Sequence, residues 1–200
     1  HIACISRLTY DIVQTVTPEV DSSYVPHAVD ADIFKPQPGE QIQQFRKERG
    51  LEDKFVCFWN NRNARRKQSG TLIWWFKEFL DKVGRDKAVL IMHTDTKDGH
   101  GQDLEAIIHE LGLTNGEVLF SKAKVDAPDL AMMYNAADVT INISDAEGFG
   151  LATLESLSSG TPILVSMTGG LQDQVTDGEN WFGIGIEPAS KSVIGSQEVP

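Results

Sequence analysis

The chain has 200 residues, 40% of them hydrophobic, enough to bury the core of one α/β domain. Its formal net charge of −11 excludes a broad nucleic-acid or anionic-membrane surface, because either partner needs Lys and Arg clustered over one face; any anion site must be local. Cys4 and Cys57 show no C-x-x-C spacing, so neither a disulfide framework nor a zinc site is indicated, and two packed thiols in a reducing, cytoplasmic compartment are expected. No apolar run approaches the roughly 18 residues of a membrane helix, and no signal-peptide pattern is present.

The chain begins at His1 rather than Met and stops at "GSQEVP" without a closing element, so a piece of a longer polypeptide is expected. "HIACISRLTYDIVQTV" predicts one strand and one helix, and residues 1–26 read as the tail of a preceding domain. The Pro-punctuated "VPHAVDADIFKPQPGE" places a hinge or linker over 27–40. Residues 41–200 then alternate short β-rich apolar runs with helical periodicity, the pattern of a parallel sheet covered by crossover helices. Strands are expected at 55–59, 88–92, 117–120, 138–143, 162–165 and, weakly, 181–186. One helix carries Leu72, Trp75, Phe76, Phe79, Leu80 and Val83 on a single stripe, with Trp75 and the other aromatics read as core; a second carries Leu104, Ile107, Ile108 and Leu111. His93, His100 and His109 share no helical face, which argues against a metal set; "HTDTKDGHG" reads as a polar loop near the acceptor side of a cleft.

Six strands in this alternation favour the doubly wound order 3-2-1-4-5-6, a Rossmann-like sheet in which the first and fourth strands are neighbours and ligands bind above their carboxyl ends. The loop after the first is "NNRNARRKQSG" and the loop after the fourth is "SDAEGFG". The tightest basic cluster, Arg62, Arg65, Arg66 and Lys67, is thereby set opposite a glycine-bearing helix start. Guanidinium and ammonium groups give charge-assisted hydrogen bonds to phosphate, and a helix N-terminus offers free N–H groups and a favourable dipole. Gly148 and Gly150 let a backbone approach without a Cβ in the way. Glu147 and Glu155 flank that helix start, and a carboxylate suits the paired hydroxyls of a sugar or ribose; the plainer readings are a first-turn acid and a surface acid.

"EGFGLATLE" resembles the E-x7-E signature of retaining glycosyltransferases with the two-domain GT-B architecture, family 4 in particular. "VPHAVDADIFKP" is similar to the hinge of that family, "NRNARRK" to its G-R-x-x-x-x-K element, and "MMYNAADVTINIS" and "SSGTPILVSMTGGLQDQV" to the stretches on either side of the signature. The resemblance implies a donor-binding C-terminal domain of a hexosyltransferase that takes a sugar from a nucleoside-diphosphate donor without a metal or other cofactor. It implies that Arg62 and Lys67 clamp the diphosphate and that the backbone of Gly148, Phe149, Gly150 and Leu151 binds the distal phosphate. Glu147 would then meet the donor sugar, Glu155 the ribose, and the loop with Lys124 and Val125 the nucleobase. The acceptor, a glycan, lipid or small molecule, would bind the preceding domain, as would any peripheral membrane contact, and an isolated donor-binding piece would bind without turnover.

Three positions depart from the family pattern: Asn61 stands for Gly before Arg62, His27-Ala28 for Asn-Gly in the hinge, and Gln172-Asp173 for Pro-Glu after Gly169 and Gly170. A dehydrogenase would need G-x-G-x-x-G after the first Rossmann strand, where "NNRNARRK" stands. A metal-dependent transferase would use Asp-x-Asp, and the "DAD" of Asp30 and Asp32 lies in the linker. The alternative from a different class is a non-catalytic nucleotide-sugar-binding or scaffold module of the same fold.

Overall fold

The computed structural model describes residues 1–189; the end of the expected 41–200 domain lies outside the described residues. An amino-terminal unit comprises β1 (Ile2–Cys4), α1 (Arg7–Val16) and β2 (Ser22–Tyr24). Ser6 starts α1 by accepting a hydrogen bond from the Thr9 N–H. β1 and β2 pair in parallel, Ile2 opposite Ser22. β2 was not expected: Ser-Ser-Tyr is short and only half-buried, so it carries no apolar signal.

The remainder is built from α2 (Gly39–Glu48), β3 (Phe55–Asn60), α3 (Ser69–Val83), β4 (Ala88–His93), α4 (Leu104–Glu110), β5 (Val118–Ser121), α5 (Ala127–Asn135), β6 (Val139–Asn142), α6 (Leu151–Ser158), β7 (Ile163–Ser166), α7 (Gln172–Val175) and β8 (Gly183–Ile186). Its sheet runs β5-β4-β3-β6-β7-β8, with neighbours parallel throughout, which is the doubly wound order expected. The strands read as apolar runs because both faces of the sheet are covered. Along β3 the side chains alternate: Cys57 and Trp59 join the cluster under α3 and α4, with Ile73, Phe76 and Leu104, while Val56 and Phe58 join Phe34, Leu51 and Tyr134 on the opposite face.

The stripe of α3 differs from the sequence reading. Leu72, Ile73, Phe76 and Leu80 are buried, whereas Trp75 is 45% exposed and Phe79 and Val83 stand at the rim. The apolar residues of α3 exceed the width of the stripe that the sheet can cover, and Ile73 takes the place that Trp75 was expected to fill. α2, also unexpected, begins within the linker at Gly39 and is almost wholly polar, with no buried residue. It is held through Arg46, which donates to Asp138 at 3.2 Å, while the other Asp138 oxygen accepts from the Val56 N–H at 2.7 Å.

Candidate functional site

β3 ends at Asn60 and the chain enters a loop that closes on a single 3-10 turn, Arg65–Lys67, before α3. Gln68, which joins turn and helix, has φ of 55°, the one non-glycine residue in the left-handed region among those described. The turn carries Lys67 inward, where it is 7% exposed, and leaves Arg62, Arg65 and Arg66 outside. β6, next to β3, ends at Asn142, and the second loop runs to Gly150, which caps α6 with φ of 90°. The paired glycines Gly169 and Gly170 pack beneath this loop. The Gly170 N–H donates to the Glu147 carbonyl at 3.0 Å, and a Cβ on Gly169 would run into that same oxygen. Gln174 donates to the Phe149 carbonyl at 2.6 Å, and the hinge residue His27 meets the Phe149 ring edge-on, centroids 5.2 Å apart.

The two loops meet at Glu147. Lys67 Nζ donates to Glu147 Oε1 and, at 2.9 Å, to Asn61 Oδ1. Asn142 Nδ2 donates to the same Glu147 oxygen at 3.3 Å, while Arg66 donates to Glu147 Oε2 at 3.3 Å and to the Ala146 carbonyl at 2.6 Å. Burial works to raise the Glu147 pKa, but the hydrogen bond and charge of Lys67 outweigh it and hold the carboxyl below its ordinary value. Burial pushes Lys67 down, opposed by Glu147. With Arg66 beside them, two cations face the Glu147 carboxylate, while Asp145 of the same loop accepts from Gln68 Nε2 at 2.6 Å.

Arg62 points elsewhere. Its Nε donates to Asp98 Oδ2 at 2.6 Å and its Nη2 to Asp98 Oδ1 at 3.1 Å and His100 Nδ1 at 2.8 Å, and this bidentate pairing holds the Asp98 carboxyl well below the usual carboxylate range. The "HTDTKDGHG" loop thus lies against the basic loop, with the Arg65 N–H also donating to the His100 carbonyl. The β4–α4 connection starts beside β3, whose loop it meets first. Glu155, in the second turn of α6, accepts from Tyr134 Oη at 2.7 Å, and Tyr134 Oη accepts from Asn60 Nδ2 at 2.8 Å. Burial raises the Glu155 pKa, and the hydrogen bond from Tyr134 opposes that rise.

Above the ends of β3, β4 and β5 opens a cleft of about 340 Å³ lined by Asn60, Asn61, Arg62, His93, Thr94, Ser121 and Lys124, among others. Asn61 Nδ2 and Thr94 Oγ1 are buried on its wall without a hydrogen-bond partner. Lys124 reaches this cleft; Val125, beside it, is half-buried and is not part of the lining. A larger groove, about 700 Å³, lies between α2 and α5 and holds none of the candidate residues. Of those candidates, the structure therefore brings Lys67 and Glu147 into contact at the foot of Gly148, Phe149, Gly150 and Leu151. It sets Arg62 and Lys124 on the adjoining cleft, and ties Glu155 to it through Tyr134. Sequence reasoning passed over Asn60, Asp98, Tyr134 and Asn142, since a lone polar residue at a strand end, in a loop or in a buried helix has no spacing signal.

Residues 40–193 match the family model described as glycosyl transferases group 1. The chain is 36% identical over 94 residues to a D-inositol 3-phosphate glycosyltransferase of Thermomonospora curvata, covering 46% of this chain and 21% of that protein. Among solved structures it resembles Anabaena HepE in complex with UDP and glucose, with TM-score 0.74, 22% identity, and coverage of 93% of this chain and 49% of that one. It also resembles the C-terminal domain of a glycosyl transferase group 1 family protein (LpcC) from Francisella tularensis, with TM-score 0.63, 25% identity and 82% coverage of both chains. The chain spans a fifth of the curated relative's length and about half of HepE's. A family model matched over most of the sequence, together with a doubly wound sheet shared with these structures, establishes that the chain belongs to the glycosyl transferases group 1 family.

Proposed function

We propose that this chain is the donor-binding part of a retaining, GT-B, family 4 glycosyltransferase and that it binds a nucleoside-diphosphate sugar at the carboxyl ends of β3 and β6. The observation that carries the reading is the meeting of Lys67, Arg66 and Glu147 between the two loops, at a glycine-capped helix start, in a chain whose net charge is −11. A diphosphate set there would face both cations. Its oxygens would lie within reach of Lys67 and of the first N–H groups of α6. Arg62, 62% exposed on its side chain, would join from the cleft wall.

Breaking the anomeric bond leaves negative charge on the departing nucleoside diphosphate, and donors already fixed in place stabilise that charge most in the transition state. Lys67 and the α6 terminus fill that role in this proposal, with no metal ion required. Glu147 would face the sugar, Glu155 the ribose, and the cleft with Thr94 and Lys124 the base. The acceptor would bind a part of the protein other than this chain. The two cysteines are buried and unpaired, in keeping with the cytoplasmic setting proposed here. The test of turnover is an NMR assay on a protein of the relatives' full length that carries this chain: the product's anomeric proton should show the donor's configuration. An inverted product would overturn the retaining assignment.

A further inference from the structure

Tyr134 is fully buried on α5, its ring edge-on to Phe58 at 5.0 Å and to Phe34 at 6.2 Å, and Thr161 Oγ1 donates to its backbone carbonyl at 2.8 Å. A ring packed on both sides in this way has one orientation. Its hydroxyl sits between two polar groups of different origin: Asn60 at the last position of β3, where the basic loop departs, and Glu155 in the second turn of α6. The hydroxyl has one proton. Because Asn60 Nδ2 donates to its oxygen, that proton goes to Glu155, which must stay an acceptor at Oε2 and keeps Oε1 for another donor. A glutamate side chain has three rotatable bonds, and on a half-exposed helix face it would otherwise sample several of its rotamers.

We propose that Tyr134, held by Asn60, is a positioning residue that fixes the Glu155 carboxylate for a ribose diol and so gives the site its preference for ribonucleotides over deoxyribonucleotides. The proposal rests on the donor-site reading given above. It extends that reading to residues that make no contact with phosphate: the basic loop and the ribose acceptor hang from one hydroxyl, so a shift at the end of β3 reaches Glu155 through two hydrogen bonds.

The experiment is calorimetric titration of the chain with whichever of UDP, GDP and ADP it binds best, with the 2′-deoxy form of that nucleotide, and with inorganic pyrophosphate. The wild type should prefer the ribonucleotide. Tyr134→Phe should lower ribonucleotide affinity about five- to tenfold, the worth of one or two hydrogen bonds, lower deoxynucleotide affinity less, since only its 3′-hydroxyl can meet Glu155, and leave pyrophosphate affinity unchanged. In a Glu155→Gln background the same substitution should add nothing. An unchanged ribose preference in Tyr134→Phe, a loss shared equally by pyrophosphate, or additive losses in the double variant would overturn the proposal. Should Tyr134→Phe not fold, Asn60→Ala carries the same test from outside the aromatic packing. A wild type that binds none of the three nucleotides would instead remove the donor-site reading itself.

Discussion

Lys67 and Glu147, 80 positions apart in the chain, form an ion pair in which each side chain is 8% exposed. Two charges so nearly removed from water are held together as much by the cost of separating them as by their attraction. Replacing Lys67 with Met should therefore destabilise the fold by about 3 kcal/mol, because it removes the buried partner of the Glu147 carboxylate and leaves it only the longer contacts with Arg66 and Asn142. Adding Glu147→Gln should recover most of that loss. Urea unfolding of the two variants measures both values, and equal stability of single and double variants would contradict the pairing.

The basic loop should divide into residues that matter for phosphate and residues that do not. Lys67→Ala and Arg62→Ala should each weaken nucleoside diphosphate binding by about 1.5 to 3 kcal/mol, the worth of a hydrogen bond to a charged group. Arg65→Ala should change little, since its side chain lies outside the meeting point of the loops. Calorimetry on the three variants decides; equal losses would mean a diffuse basic patch.

Glu155 and Glu147 should respond to acid in opposite senses. The folded Glu147 pKa lies below the ordinary value, so its contribution to stability is complete above that ordinary value and is lost as pH falls through the folded one. The folded Glu155 pKa lies above the ordinary value, so it favours the folded state only in acid, and that advantage is lost as pH rises through the folded one. Glu155→Gln should accordingly raise the thermal midpoint at pH 7, leave it unchanged at pH 3.5 to about 4 where both forms are neutral, and still weaken nucleotide binding. A carboxylate that lowers stability and is needed for binding is the expected mark of a functional acid. A lower midpoint at pH 7 in Glu155→Gln would show the group to be structural.

Gly169 supports the Glu147 loop from below. With φ of +49° and the Glu147 carbonyl where a Cβ would be, Gly169→Ala must displace the loop, so nucleotide binding should be lost along with more than about 1 kcal/mol of stability. Gly178→Ala, with φ of +96° and open space around it, should show the backbone cost alone and bind normally. Normal binding in Gly169→Ala would mean that the loop position is not what the site depends on.

The sheet was legible from the sequence because every central strand is an apolar run between turn residues, and because alternation with helices admits few parallel orders. β2 and α2 were not legible, the first for want of apolar residues and the second because it is held by Arg46 and Asp138, a pair 92 positions apart. At the candidate site, the order of motifs singled out Lys67, Glu147 and Glu155 as candidates. Their partners were hidden: Tyr134 reads as one more core aromatic, and nothing in the spacing of "HTDTKDGHG" shows that Asp98 turns Arg62 toward the cleft wall. Side-chain hydrogen bonds between distant loops depend on the fold and leave no periodic trace.

On the proposed reading, a nucleoside diphosphate should bind where the β3 and β6 loops meet, without a divalent metal. Calorimetric titration of UDP, GDP and ADP in the presence of EDTA, on the wild type and on Lys67→Ala side by side, tests it most directly. The account predicts saturable 1:1 binding of at least one of the three to the wild type, unchanged by added magnesium and strongly weakened in Lys67→Ala. Binding that needs magnesium, or that is the same in Lys67→Ala, would contradict it.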